Sequence, residues 1–254
     1  MIRFKDLLER DRPPLGTWVK LPTVESVELM GLAGFDFVVI DLEHSPMSLE
    51  TAATLIAVAR ARGTCPLVRV PDHSQVWVQR CLDAGASGVL APHVDTVEQA
   101  QAVARAARFE PVGSRGVGPT SRAGNWGLLP MADYLAEGNE ITVMAQVESD
   151  TAVQNAAALL DSGAVDALFV GPADLSVALG VGLTDPEVTT RIQHVVQQCR
   201  AASIPCGTAI GADPDRAATL TTEGFAFVMV SNDATILGSA AAQLVERYRN
   251  ATRP

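Results

Sequence analysis

The sequence predicts an α/β protein of the (β/α)8 TIM-barrel class, and three observations carry that prediction. Apolar, β-branched runs of strand length recur along the chain. Helical patterns, with apolar residues three and four apart, lie between them. A chain of 254 residues is the size that eight such units need. Four runs also share one plan, a helix end, a glycine, then a strand: "LAGFDFVVIDLE", "DAGASGVLAPHV", "DSGAVDALFVGP" and "TEGFAFVMVSND". Glycine closes a helix there because it accepts the left-handed conformation. A doubly wound open sheet is the main rival, but no G-x-G-x-x-G follows the first strand. One barrel domain over residues 1–254 is expected.

In chain order, "MIRFKDLLERDRPP" alternates charge with apolar residues and reads as a short amphipathic helix, with no secretory signal. The expected strands of the first half are "GTWVK" (16–20), "FDFVVIDLE" (35–43), "PLVRV" (66–70) and "GVLAPHV" (88–94). Those of the second half are "ITVMAQVE" (141–148), "VDALFVGP" (165–172), "PCGTAI" (205–210) and "FAFVMVS" (225–231). Segments such as "LETAATLIAVARARG" and "TVEQAQAVARAARF" supply the helices. Regularity fails over 109–139, a glycine-rich stretch read as a long functional loop, in which Trp126, Leu128 and Leu129 call for something to pack against.

Composition narrows the function. The chain is 48% hydrophobic and 19% charged, which suits a globular core, and its formal net charge is −10. A nucleic-acid partner is disfavoured, since a phosphate backbone needs clustered Lys and Arg. No apolar run approaches the roughly 18 residues of a membrane helix. Cys65, Cys81, Cys199 and Cys206 form no C-x-x-C pair, so reduced thiols in a cytoplasmic protein are expected.

Barrel enzymes place their chemistry at the C-terminal ends of the strands. The polar residues there are Lys20, then Asp41, Glu43 and His44, then Arg69 and His93. Gln146, Glu148, Asp174, Ser231, Asn232 and Asp233 follow. Glu148 and Asp174 end adjacent strands and can share one cation. Two oxygen ligands, completed by water and substrate, describe Mg²⁺ or Mn²⁺ better than zinc. The competing reading makes these positions helix caps, with Asp174 before "LSVAL" and Ser149 before "DTAVQ". Arg69 stands in an apolar strand. Either a neighbouring carboxylate neutralises it, or its planar fork holds a substrate carboxylate or enolate oxygen.

His44 is the expected general base, with His73, His93 and His194 as weaker competitors, of which only His93 also ends a strand. Lys5 and Lys20 are the chain's two lysines, so a Schiff base would have to use Lys20, which is expected to be a solvated rim charge. Neither G-x-S-x-G nor a Walker A loop occurs.

Taken together, "FDFVVIDLEHSP", "PLVRVP", "LDAGASGVLAPHVDTVEQA", "GSRGVGPTSRAGNWG", "QVES" and "FVGPADLS" resemble the metal-dependent pyruvate aldolases, from about Gly16 to Asp233. That family includes 4-hydroxy-2-oxoheptanedioate and 2-dehydro-3-deoxyglucarate aldolases. The resemblance implies a barrel whose last helix is often exchanged between subunits of a hexamer, or a trimer. It implies that Glu148 and Asp174 bind a divalent metal (Mg²⁺, Mn²⁺ or Co²⁺) chelated by pyruvate, and that Gln146 and the backbone around Ala173 complete the pyruvate site. Arg69 would stabilise the enolate, and His44 would be the base in the cleavage direction. Asp83, in "CLDAGASG", resembles the acid that raises the basicity of that histidine. It is expected at the bottom of its own barrel, so the contact would cross a subunit interface; Asp41 is the nearer candidate, and both stay open.

The implied reaction cleaves a 4-hydroxy-2-oxo acid to an aldehyde and a metal-bound pyruvate enolate. Thr208 and Ala209 stand where relatives often carry larger apolar residues, implying a wider acceptor pocket. Two alternatives remain: a citrate-lyase-like or phosphoenolpyruvate-mutase-like lyase on a related barrel, and a barrel that binds a keto acid without turnover.

Overall fold

A computed structural model describes residues 2–253. The strands are β1 (Leu15–Val19), β2 (Phe37–Asp41), β3 (Cys65–Arg69), β4 (Gly88–Ala91), β5 (Thr142–Val147), β6 (Ala167–Val170), β7 (Cys206–Ile210) and β8 (Phe227–Asn232). They close into a parallel barrel in chain order, with β8 returning to β1. The helices are α1 (Phe4–Leu8), α2 (Val24–Ala33), α3 (Leu49–Ala61), α4 (Gln75–Asp83), α5 (Val97–Ala107) and α6 (Met131–Asn139). After these come α7 (Asp150–Gln154), α8 (Ala156–Asp161), α9 (Pro172–Leu179), α10 (Pro186–Ala202), α11 (Pro214–Glu223) and α12 (Asp233–Ala251).

Side chains of a strand alternate between the two faces of the sheet, and the barrel turns that alternation into two cores. In β2, Val38 and Ile40 face the helices, while Phe37 and Val39 face the barrel axis. The axis is filled by Phe37, Phe169 and Phe227, and Phe4 of α1 plugs the bottom, 5.0 Å edge-on to Phe37 and to Phe227. These rings need space that only glycine leaves. A Cβ on Gly16 would come within 2.3 Å of the Phe37 ring, and one on Gly207 within 2.1 Å of Phe227.

Each expected strand is present, but the longer ones are shorter than their apolar runs. The run 35–43 pairs only over 37–41, and 165–172 only over 167–170. Residues past the ladder bend away into the loops at the mouth, which is where the polar residues sit. The stretch 109–139 is a correction to the expected loop: it holds a 3₁₀ turn at Arg122–Gly127 and the helix α6. Tyr134 of α6 is buried against Phe109, with ring centroids 5.0 Å apart. Trp126 and Leu128, expected to pack, stay 65% and 87% exposed within the one chain.

Candidate active site

Asp41 and Arg69 are the last residues of β2 and β3 and are register partners, so their side chains leave the sheet side by side. Arg69 donates from Nε to Asp41 Oδ1 at 2.9 Å and from Nη2 to Oδ2 at 2.7 Å. Its Nη1 lies 3.1 Å from Glu43 Oε2, and its guanidinium sits 4.2 Å over the Trp18 ring. Lys20 Nζ donates to Asp41 Oδ2 at 2.6 Å, so the lysine is paired and not the solvated rim charge expected of it. Asp233 sets Lys20 in place by accepting from the backbone N–H of Lys20 (2.9 Å) and Leu21 (3.0 Å). Burial works against the ionised Asp41, but Arg69 and Lys20 outweigh it and hold its carboxyl well below the usual carboxylate range. Arg69 is thus neutralised by neighbouring carboxylates, and it also lines the mouth.

Across the mouth, Glu148 follows β5. Its Oε1 accepts from the backbone N–H of His93 at 2.7 Å and lies 2.7 Å from the ring Nδ1 of that residue. Its Oε2 accepts from Gln146 Nε2. His93 holds a left-handed backbone (φ 51°), and its Nε2 stands 3.3 Å from Glu43 Oε1, so one histidine bridges two acids. Gly171 leaves room for the cluster: a Cβ there would lie 3.3 Å from both Gln146 Nε2 and Glu148 Cβ.

Asp174 is the third residue of α9, exposed at the mouth. Because α9 begins at Pro172 behind Gly171, Asp174 is not its cap; Ser149, by contrast, does cap α7, accepting from Ala152 N at 3.0 Å. Burial raises the Glu148 carboxyl; His93 opposes the rise, and the charges of Asp174 and Glu43 add to it. Two carboxylates that repel one another are what a divalent cation relieves. Gln146 Oε1 is buried in the same place with no hydrogen-bond partner. Among the described residues no group of three or more His, Cys, Asp or Glu side chains is arranged to hold a metal. A hard cation completed by water and substrate therefore fits these donors, and a site closed by protein ligands alone does not.

His44 lies on the bend after β2 with its ring 60% exposed. Asp41 accepts from its backbone N–H at 3.2 Å and does not touch the ring. Asp83 ends α4 and pairs with Arg115 at 2.6 Å. The acid nearest the ring is Glu43, with Oε2 3.8 Å from Nε2. Glu43 and Trp18 are the residues to which sequence reasoning gave no role. A signal existed for each: an acid beside the candidate base, and an aromatic on the inward phase of β1. The resulting cavity, about 320 Å³, is lined by Trp18, His44, Arg69, Gln146, Ala173 and Asp174 among others.

The family model for "HpcH/HpaI aldolase/citrate lyase" matches residues 15–240. A 5-keto-4-deoxy-D-glucarate aldolase from Citrobacter koseri is 36% identical over 250 residues, covering 97% of this chain and 96% of that protein. The crystal structure of an HpcH/HpaI aldolase from Desulfitobacterium hafniense DCB-2 superposes with a TM-score of 0.93 at 29% identity, covering 100% of this chain and 98% of the other. That of an HpcH/HpaI aldolase/citrate lyase family protein from Burkholderia cenocepacia J2315 gives 0.89 at 32% identity, covering 96% and 98%. With the fold and nearly the whole length in common, this chain belongs to the HpcH/HpaI aldolase/citrate lyase family.

Proposed function

We propose that Glu148 and Asp174 hold one divalent cation at the barrel mouth, and that Arg69, His44, Gln146 and Ala173 act around it on a 4-hydroxy-2-oxo acid. The chain is an aldolase that cleaves such an acid reversibly to pyruvate and an aldehyde. The observation that carries the site assignment is the meeting, at one mouth, of a mutually repelling acid pair with a guanidinium already fixed in orientation.

When bound, the cation supplies positive charge that polarises the 2-oxo group of the substrate. Gln146 and the first turn of α9 at Ala173 hold the pyruvate half. His44, with its ring open to the cleft, takes the proton of the C4 hydroxyl. The C4–O bond then gains its second bond as the C3–C4 bond breaks, and that electron pair remains on the three-carbon fragment as an enolate. Arg69 faces the negative oxygen with an orientation set beforehand by Asp41, so little reorganisation is needed as charge develops. A proton returned to C3 completes pyruvate.

Mg²⁺ and Mn²⁺ suit the oxygen donors, and Co²⁺ is also compatible. The name of the Citrobacter koseri relative supports a deoxy-keto sugar acid among the substrates. Exposed Leu237, Leu244 and Tyr248 on α12 support exchange of the last helix between copies in a hexamer or trimer. In such an assembly Asp83, braced by Arg115, would approach His44 of a neighbouring copy, with each chain contributing one barrel domain. Free, buried cysteines, and no helix among the described residues long and apolar enough to cross a membrane, support work in the cytoplasm.

Pyruvate release from 5-keto-4-deoxy-D-glucarate and 4-hydroxy-2-oxoheptanedioate, with and without EDTA, tests the reading. Release is expected to stop in EDTA, to return with Mg²⁺ or Mn²⁺, and to be lost in Glu148→Ala. Release that survives EDTA would point to Lys20 and overturn the assignment.

A further inference from the structure

Helix α10 packs on α7, α8 and α9 rather than on α11. Between α10 and α11, on the outer side of β7, lies a cavity of about 530 Å³. Its walls are Val188, Ile192 and Val196 of α10, Leu220 of α11, and Phe225. Two of its polar neighbours are already satisfied: buried Thr208 of β7 donates to Val170 O at 3.0 Å, and Arg216 is tied to Glu223 at 2.5 and 3.0 Å.

This cavity is not separate from the catalytic mouth. Pro172, Leu183, Ala209, Ile210 and Gly211 line both. The shared residues set the two cavities side by side across the end of β7, where Ala209 is small, with the 56% exposed Leu183 bordering both. Apolar lining is thus shared between the mouth, where Arg69, His44 and Asp174 stand, and a groove of about 530 Å³ walled by α10 and α11.

Resting on the aldolase reading above, we infer that the groove between α10 and α11 is the acceptor subsite for the aldehyde fragment, and that the enzyme takes aldehydes bearing an apolar alkyl or aryl tail. The tail follows Ala209 and Gly211 out of the mouth and lies against Ile192, Val196 and Leu220. Short hydroxylated aldehydes stop within the mouth and gain nothing from the groove. Each methylene carried out of water is worth about fourfold in kcat/KM.

The test is addition of pyruvate to hexanal and to glycolaldehyde with Mn²⁺ present, with C3 deuterium exchange of pyruvate in D₂O followed by NMR alongside. Hexanal is expected to be preferred by more than about tenfold in kcat/KM, mostly through KM. Ala209→Leu narrows the passage and Ile192→Trp fills the groove. Each is expected to remove most of the preference, with folding checked by circular dichroism melting. Exchange with no hexanal preference, or a preference that survives both substitutions, would overturn the inference while leaving the aldolase intact. Failure of exchange and of both additions would instead sink the aldolase reading beneath it. Loss of oligomer on Ile192→Trp, seen by sedimentation and without a hexanal preference in the parent, would show that a second copy covers the groove, and would overturn the inference.

Discussion

Arg69 and Asp41 form a two-point ion pair at the last register position shared by β3 and β2, with Lys20 on the same carboxylate. The pair is buried, so neither charge can fall back on water. Replacing Asp41 by Asn would leave Arg69 with Glu43 alone and take away the carboxylate that Lys20 meets. The expected loss of stability is about 3–5 kcal/mol, read by urea unfolding. Arg69→Lys keeps the charge and loses the fork, so its stability loss should be smaller. Its kcat should nevertheless fall by roughly 10²–10³, as when a fixed donor to a developing oxyanion is removed.

The same pair sets an acid limit. The folded-state pKa of Asp41 is depressed, so its contribution is complete above the unfolded carboxyl value of about 4. It falls progressively as pH drops from that value toward the lower folded one. Melting temperatures from pH 7 to pH 2.5 should therefore show an acid arm beginning below about pH 4 that is shallower in Asp41→Asn. An equal arm in both proteins would assign it to other carboxylates.

Metal affinity is expected to separate the two acids across the mouth from their neighbours. Glu148→Gln and Asp174→Asn are each expected to abolish Mn²⁺ binding by calorimetry. Mn²⁺ at a hundredfold excess over its Kd should stabilise the parent by about 2.7 kcal/mol and leave the variants unmoved.

His44 and His93 should behave differently under the same substitution. His44→Ala is expected to lower kcat by about 10²–10⁴ with Mn²⁺ affinity unchanged, as fits loss of a general base. His93→Ala removes the ring against Glu148 while keeping the backbone N–H bond, so it should shift Mn²⁺ affinity more than kcat. The reverse pattern would exchange their roles.

Burial pushes the Cys65 and Cys81 thiols up to about 12. The thiolate is the reactive form, so neither should react with a disulfide reagent at pH 8 in the folded protein. Both should react at once in denaturant.

Much of the fold was legible because a strand facing helices outside and phenylalanines inside must be apolar on both faces, and such runs stand out from the helical patterns between them. Strand ends were less legible. Phe35 and Leu42 continue the apolar run of β2 but lie outside the paired residues: Phe35 N–H turns back to Met30 O of α2, and Leu42 N–H makes one last bond to Arg69 O before the chain bends into the mouth. Glu148, Asp174 and Arg69 could be singled out because a charge at the end of an apolar strand needs a reason. Glu43 was left without a role and Lys20 was read as solvated when it is paired, since whether a rim charge is solvated or paired depends on what stands opposite.

By itself the sequence determined the alternation of strands and helices, hence the barrel, and which strand ends carry acids. Those are properties of local pattern, and neighbours in the chain suffice to produce them. Tertiary structure alone decided that Asp41 serves Arg69 and Lys20 and not the His44 ring, that a left-handed residue at His93 turns its N–H and its ring onto Glu148, and that α10 and α11 stand apart over β7. Each depends on the register in which the barrel closes and on how far apart its helices settle, and both are set by packing between residues distant in the chain.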